Sequence, residues 1–179
     1  MKFCSDCGAP VALRVPEGDN LPRHVCTTCE AIHYSNPKVV VGCVPEWQGR
    51  ILLCRRAIEP RLGFWTMPAG FMENGETARA GAARETFEES QSEVEVESLI
   101  SVISIPGINQ VHLMFSGRML SEAHGPTSES SAVRLFAEEE IPWDELAFRT
   151  VVQTLRHYLE DRRQGMRGPH VIDLGEFAA

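Results

Sequence analysis

The sequence predicts an α+β protein in which helices pack on a mixed β-sheet, preceded by a small cysteine-rich segment. Two Cys-x-x-Cys pairs lie within the first 30 residues. Apolar and β-branched runs then alternate with turn residues, as is typical of strands, and two later stretches have the composition or period of helices. This order of elements favours helices packed on one mixed sheet.

The N-terminal cysteines have the spacing of a structural zinc site. Cys4, Cys7, Cys26 and Cys29 form two Cys-x-x-Cys turns. Two such turns can surround a tetrahedral Zn²⁺, which also supplies folding energy to a segment too small for a core. Disulfides are the alternative interpretation, and a reducing compartment disfavours it. We therefore expect a zinc ribbon over residues 1–33 and a second domain over residues 34–179.

Two histidines of the ribbon and the two cysteines that follow it have simpler interpretations. His24 and His33 flank the second cysteine pair, but four sulfurs already fill the site, so we interpret both as ordinary loop residues. Cys43 and Cys54 lie in the apolar runs "VVVGCVP" and "ILLCRR", where a buried, unreactive thiol is expected.

Composition excludes several classes of function. The 179 residues are 43% hydrophobic, enough for a core, and 17 Lys and Arg against 25 Asp and Glu give a net charge of -8. Such a charge repels polyanions, so broad nucleic-acid binding is disfavoured. The sequence has neither an apolar run long enough to span a membrane nor the plan of a signal peptide, so we expect a cytoplasmic protein without membrane contacts.

The strands of the second domain are predicted from alternating apolar runs. "KVVVGCVP" and "RILLCRR" flank "EWQG", whose Gln48-Gly49 suits a hairpin turn. Further strands are expected within 93–105, 110–120 and 132–137.

Two helices are predicted. Residues 77–90 are rich in alanine, arginine and glutamate, and Ala80, Ala83 and Phe87 would form the face that docks on the sheet. A second, amphipathic helix is expected after Pro142, with Asp144 as its N-cap. Its apolar positions are Phe148, Val151, Val152, Leu155, Tyr158 and Leu159.

The first helix carries an unusual group of carboxylates. Glu85, Glu88 and Glu89 fall within a stripe about 100° wide on a helical wheel. Like charges at these spacings destabilise a helix, and a divalent cation would reverse that penalty, although a solvated acidic face is the simpler alternative. Pro68 and Gly70 in the preceding loop allow a tight bend that exposes carbonyl oxygens as further ligands. Hard oxygen ligands suit Mg²⁺ or Mn²⁺ and indicate phosphate chemistry.

This pattern resembles the box of the Nudix hydrolases. The matching positions are Gly70, Glu76, Arg84, Glu85, Glu88 and Glu89. Thr86 stands at the usual aliphatic position, Gln91 replaces the closing glycine and Ser92 the apolar residue after it. The resemblance implies the Nudix fold, a mixed β-sheet sandwiched by helices. It also implies that Glu85, Glu88, Glu89 and the Gly70 carbonyl hold Mg²⁺ or Mn²⁺.

The resemblance extends to a subgroup with an N-terminal four-cysteine ribbon, which includes bacterial proteins and the plant chloroplast FAD pyrophosphatase. It implies cleavage of the diphosphate of FAD, ADP-ribose or a related nucleotide into AMP and a phosphomonoester. A glutamate often stands in that subgroup where this chain has Ala132. The zinc-ribbon NADH pyrophosphatases are also similar, but their Ser-Gln-Pro-Trp-Pro-Phe-Pro segment is missing and "SIPGINQVHLMF" stands there, so NADH and NAD-capped RNA become secondary candidates.

Candidate roles follow from the same resemblance. Glu85 or Glu89 in the box, or Glu129 or one of Glu138–Glu140 in later segments, would act as general base. Arg84 is expected to pair with Glu76 and hold the loop against the helix.

Substrate contacts and partners are the other expectations. Arg55 could meet a phosphate or ribose, and Trp65 could form an apolar face for a ring. Relatives often form homodimers, so a homodimer is expected by analogy. The alternative from another class is a non-catalytic binding protein, whose ribbon would contact a partner.

Overall fold

The computed structural model describes residues 1–165 and 168–175 and divides into two compact units, Met1–Pro37 and Lys38–Ala179. The first unit is a three-stranded antiparallel sheet, in which β2 pairs with both neighbours. Its strands are β1 (Val11–Arg14), β2 (Arg23–Cys26) and β3 (Ile32–His33).

The second unit is built on a mixed sheet with the strand order β10-β5-β4-β9-β8-β11, in which β6 pairs with β5 and β7 with β4. The strands are β4 (Lys38–Trp47), β5 (Arg50–Arg56), β6 (Trp65–Thr66), β7 (Ala69–Phe71), β8 (Val94–Ile105), β9 (Gln110–Met119), β10 (Ser130–Phe136) and β11 (His170–Asp173). β4 runs parallel to β9, and β11 parallel to β8. The helices are α1 (Ala78–Ser90) and α2 (Arg149–Gln164). The predicted α+β class and the predicted strands are confirmed.

The two helices cover opposite faces of this sheet, because successive residues of a strand point to opposite sides. Val41 and Cys43 of β4 pack in one cluster with Ala82 of α1. Val40 and Val44 of the same strand pack in another cluster with the apolar side of α2. The central sheet is thus enclosed between the helices. None of the described helices is both long and apolar enough to cross a membrane.

The predicted hairpin between β4 and β5 is confirmed. Its two turn residues both have positive φ, 50° at Gln48 and 83° at Gly49. Two successive left-handed residues give a turn whose twist matches that of the flanking strands.

α1 has the predicted bounds, with the Thr77 side chain accepting a hydrogen bond from the Ala80 amide at 3.2 Å. The predicted docking face is wrong, because Ala80 and Phe87 are exposed. The helix docks instead through Gly81 and Ala82. A Cβ at position 81 would lie 2.9 Å from Val41 Cγ2, so only glycine permits this close approach. Glu89 is consequently buried and Glu85 partly buried, whereas Glu88 is exposed.

α2 begins later than predicted. Its N-cap is Phe148, while Asp144 lies in a separate 3-10 turn, so the predicted N-cap is wrong. Between the two, Leu146 forms a bridge with Trp65, and the Ala147 amide donates to the Trp65 carbonyl at 2.8 Å. This extended contact interrupts the helical path.

Candidate active site

The four ribbon cysteines converge on one point. Their sulfurs all lie within 4.8 Å of one another, with 3.7 Å between Cys4 and Cys29 and 3.4 Å between Cys7 and Cys26. Tetrahedral zinc with Zn–S bonds of about 2.3 Å requires sulfur separations of about 3.8 Å. The cysteines are free thiols, and backbone N–H groups, first that of Cys7, lower the pKa of Cys4 to about 6. This donor set fits a zinc ion and not a disulfide pair.

His33 contacts one of these sulfurs, which the sequence analysis did not predict. His33 lies on β3, with Nε2 3.2 Å from the Cys4 sulfur. The interpretation of His33 as an ordinary loop residue is therefore wrong, because its side chain contacts the zinc-ligand candidate Cys4 from outside the tetrahedral shell. Counting ligands in the sequence could not reveal this contact.

In the second unit, Arg84 organises the acidic group. Its guanidinium donates to both carboxylate oxygens of Glu76, at 2.8 and 3.1 Å, and to the Phe71 carbonyl at 3.2 Å. The Nη1 atom also donates to Glu85 at 2.8 Å and to Glu88 at 3.0 Å. One cationic nitrogen thus lies between two of the candidate metal ligands. Within the described residues, the ribbon cysteines are the only group of three or more potential metal-ligating side chains whose ligand atoms all lie within 4.8 Å of one another.

Gly70 lies directly against Glu85. A Cβ at position 70 would be 2.3 Å from Glu85 Oε2, so the Glu85 carboxylate occupies the space that any side chain at position 70 would need. Gly70 belongs to β7, where it pairs with Val41 of β4. This register holds the Gly70 backbone at the glutamate side of α1.

Glu89 is the most enclosed of the three glutamates, with 9% of its surface exposed. The Ala69 amide donates to its Oε2 at 3.2 Å. Burial, followed by the charges of Glu85 and Glu129, raises the pKa of Glu89 to about 8. Burial likewise raises the pKa of Glu85. Buried like charges with hard oxygen donors fit a divalent cation such as Mg²⁺ or Mn²⁺, which would stabilise their ionised forms.

A cavity of about 570 Å³ adjoins this group and has Gly70 in its wall. The lining is mainly apolar and comes from distant parts of the chain, including Phe71, Ile108, Phe148 and Leu174. Apolar concave sites with a few polar groups are typical of small-molecule binding. No local sequence motif predicts this cavity, since its lining is assembled from segments that are far apart in the chain.

Two family models match the chain. The model described as Nudix N-terminal matches residues 2–35, and the model described as NUDIX domain matches residues 36–159. The chain belongs to the Nudix family.

Individual relatives agree with this assignment. A crystal structure of a NUDIX hydrolase from Nitrosomonas europaea is 52% identical, covers 97% of this chain and 99% of its own, and superposes with a TM-score of 0.94. An ADP-ribose pyrophosphatase of Methanocaldococcus jannaschii is 38% identical over 73 residues, covering 41% of this chain and 43% of its own. The NAD-capped RNA hydrolase NudC of Edwardsiella ictaluri is 35% identical over 105 residues, 59% of this chain and 38% of its own. The chain thus spans less than half the length of either curated relative.

Gln91 departs from the Nudix box and Ala132 from the pattern of the similar subgroup, and the structure accounts for the first of these two residues. Gln91 takes the left-handed conformation that favours glycine, with φ of 58°, and its side-chain amide donates to the Pro126 carbonyl at 2.8 Å. This bond ties the end of α1 to the segment that leads to Glu129. Ala132 lies on β10 beside a register shift, opposite Arg55. Nothing in the structure explains its identity.

The other candidate residues are placed as follows. The negative charge of Glu129 acts on both Glu85 and Glu89, so the structure brings it to the acidic group. Glu138 instead forms ion pairs with Arg162 and Arg163. Arg55 donates to the Gly63 carbonyl at 2.8 Å, and the Trp65 ring packs edge-on against Phe136.

Arg55 and Trp65 do not line the cavity beside Gly70. Their substrate-binding roles therefore stay predictions.

Proposed function

We propose that this Nudix protein hydrolyses the diphosphate bond of a nucleoside-diphosphate-linked compound, with FAD or ADP-ribose as substrate and AMP plus a phosphomonoester as products. One observation carries the proposal. Gly70 both touches the Glu85 carboxylate and lines the apolar cavity. A diphosphate beside the glutamates would therefore place an attached ring or sugar in the cavity.

The glutamates have distinct roles in this proposal. Glu85, Glu88 and Glu89, together with the Gly70 carbonyl, hold Mg²⁺ or Mn²⁺. When bound, the divalent ion supplies charge neutralisation at the diphosphate and makes an attacking water more acidic. Arg84 keeps Glu85 and Glu88 oriented through its two hydrogen bonds.

Glu129 is the candidate to take the proton of the attacking water, with Glu89 as the alternative. Glu129 has no ion-pair partner among residues 1–165 and 168–175, and its charge reaches both buried glutamates. The ribbon, with Zn²⁺ on Cys4, Cys7, Cys26 and Cys29, has a structural role. A homodimer is expected by analogy, and its mass in solution would test this.

NADH is the second candidate substrate. The alignment with a NudC protein over 105 residues supports it. The segment 104–115 differs from the residues that mark those enzymes, and in this chain Ile105, Ile108 and His112 of that segment line the cavity. FAD and ADP-ribose therefore rank ahead of NADH.

The test is product analysis by liquid chromatography with purified protein and Mg²⁺ or Mn²⁺, offering FAD, ADP-ribose and NADH separately. We expect AMP from FAD or ADP-ribose, and loss of this activity in Glu89→Gln. Glu93→Gln, an exposed glutamate shortly after α1, is the matched control and should retain activity. Release of no product by the wild-type protein with either metal would contradict the proposal and favour the non-catalytic alternative.

A further inference from the structure

The cavity beside Gly70 has a polar pair on its sheet side. Gln110 and His112 stand two residues apart on β9, and both line the cavity. They lie opposite Lys38 and Val40 on β4 and opposite Ile105 and Ile103 on β8. A strand paired on both sides is a rigid support, so these two side chains project from fixed positions.

The two side chains are hydrogen-bonded to each other. His112 Nε2 lies 2.9 Å from Gln110 Oε1, so the imidazole N–H donates and the carboxamide oxygen accepts. Burial lowers the pKa of His112 to about 4, which keeps the ring neutral near pH 7. With its proton on Nε2, the ring carries a lone pair on Nδ1, an atom that is fully buried and has no partner within the described residues.

This bond determines what Gln110 can offer a ligand. A carboxamide is planar, so fixing its oxygen also fixes the direction of its NH₂ group. In the parts of the chain that the structure describes, the Gln110 Nε2 has no hydrogen-bond acceptor, while the side chain faces the cavity. The cavity therefore contains a positioned donor without a protein partner.

The surrounding walls suit a flat ring. Phe71 has Lys38 Nζ at 4.8 Å from its ring centroid, and Phe148 has the guanidinium carbon of Arg56 at 5.1 Å from its own. Each aromatic ring is thus held by a cation in addition to its packing. Ile105 and Ile108 add apolar surface against which a ring can pack, and Arg61 and Arg149 also line the cavity.

From this arrangement we propose that Gln110 is a specificity-determining residue, whose side-chain NH₂ donates a hydrogen bond to an acceptor atom on the edge of the substrate's aromatic ring. His112 is a positioning residue that acts through Gln110. The inference rests on the proposed function, since it assigns the ring-bearing part of that substrate to this cavity. Adenine and isoalloxazine both present acceptor atoms on their edges, and the experiment distinguishes them.

The first measurement is the binding of FMN and AMP to the metal-free full chain by calorimetry, which does not depend on hydrolysis. Loss of one hydrogen bond in Gln110→Leu should weaken binding of one of these ligands about 3- to 10-fold. Weaker FMN binding alone assigns isoalloxazine to the cavity, and weaker AMP binding alone assigns adenine. Gln153→Leu, a glutamine on α2 outside this cavity, should bind both ligands as the wild type does.

Steady-state kinetics provide the second measurement. Gln110→Leu should raise KM by the same factor with little change in kcat, for FAD alone if isoalloxazine occupies the cavity and for FAD and ADP-ribose if adenine does. His112→Leu should behave like Gln110→Leu, whereas His112→Gln, which retains a side-chain N–H donor, should recover part of the affinity. A purely structural role would not give this recovery.

The outcomes separate the two proposals. If no substrate is hydrolysed but Gln110→Leu still weakens FMN or AMP binding, the proposed function fails and the assignment of Gln110 stands. If folded Gln110→Leu binds both ligands and turns over both substrates as the wild type does, the assignment of Gln110 is wrong.

Discussion

Arg84 and Glu76 are joined by two parallel hydrogen bonds, from Nη2 at 2.8 Å and from Nε at 3.1 Å. The pair connects α1 to the loop between β7 and the helix. Arg84 is the main reason that the pKa of Glu76 is lowered to about 2, so this carboxylate stays ionised over the whole neutral range. Because the same guanidinium contacts Glu85, Glu88 and the Phe71 carbonyl, it fixes the glutamates relative to the Gly70 segment.

We predict that Arg84→Lys lowers kcat about 100-fold, the effect expected when reacting groups are misplaced by about 1 Å. A lysine ammonium cannot reproduce the planar fork that bonds Glu76 with two nitrogens. The measurement is steady-state hydrolysis of the substrate identified above. Arg79→Lys is the matched control on the same helix, where Arg79 donates to the Val96 carbonyl at 3.0 Å. Wild-type turnover by Arg84→Lys would show that the paired hydrogen bonds between Arg84 and Glu76 are not needed for catalysis.

Glu89→Gln should stabilise the protein while removing its activity. A carboxylate at 9% exposure lacks a cationic partner at hydrogen-bond distance within the described residues, and its neutral isostere can still accept from the Ala69 amide. We expect the free energy of unfolding without divalent metal to rise by about 1–3 kcal/mol. Urea unfolding monitored by circular dichroism measures this change. Lower stability of Glu89→Gln would mean that the charged carboxylate is satisfied in the fold.

With divalent metal bound, the wild type should become more stable than Glu89→Gln. A ligand that binds only the folded state stabilises it in proportion to its affinity, so Mg²⁺ or Mn²⁺ should raise the Tm of the wild type. The same ions should leave the Tm of Glu89→Gln nearly unchanged. An equal shift in both proteins would show that Glu89 is not a ligand.

Local features were predictable from the sequence, and features made by distant segments were not. The Gln48-Gly49 hairpin and the bounds of α1 follow from turn and capping residues that are neighbours in the chain. The docking face of α1 was not predicted, because the prediction considered only the apolar side chains of the helix. It did not consider that Gly81, which lacks a side chain, lets the helix approach a strand closely.

The site was predictable to a similar extent. The spacing of the glutamates predicted one acidic group on α1, and the structure brings Glu129 to it from a distant loop. The cavity was not predictable, because Phe71, Gln110, Phe148 and Leu174 meet only after the sheet is assembled. The same holds for Trp65. The sequence shows an aromatic residue near the box, but only the structure shows that its ring packs edge-on against Phe136.

Removal of one ribbon ligand should unfold the ribbon alone. We expect one zinc ion per chain by atomic emission and its loss in Cys26→Ala, since three sulfurs leave the tetrahedral shell incomplete. Hydrogen exchange should show loss of protection in residues 1–37, while β4 and β9 stay protected by their own apolar core. Cys43→Ala, a buried cysteine outside the ribbon, should retain zinc. Unchanged exchange in Cys26→Ala would show that the ribbon folds without metal.

His112 should make the folded protein less stable as the solution becomes acidic, a contribution opposite in sign to that of Glu89, whose pKa is raised. Burial lowers the pKa of His112 from 6.5 to about 4 in the folded protein. Between these pH values the imidazole of His112 binds a proton in the unfolded chain but not in the folded chain, so its contribution to the free energy of unfolding decreases as pH falls from about 6.5 to 4. The contribution is at most about 3 kcal/mol, and less because the ring is only partly buried. On going from pH 7 to pH 4.5, the unfolding free energy of His112→Leu should therefore fall by less, or rise by more, than that of the wild type. His124→Gln, in the loop after β9, should retain the wild-type difference, and an unaltered difference in His112→Leu would show that this histidine titrates alike in both states.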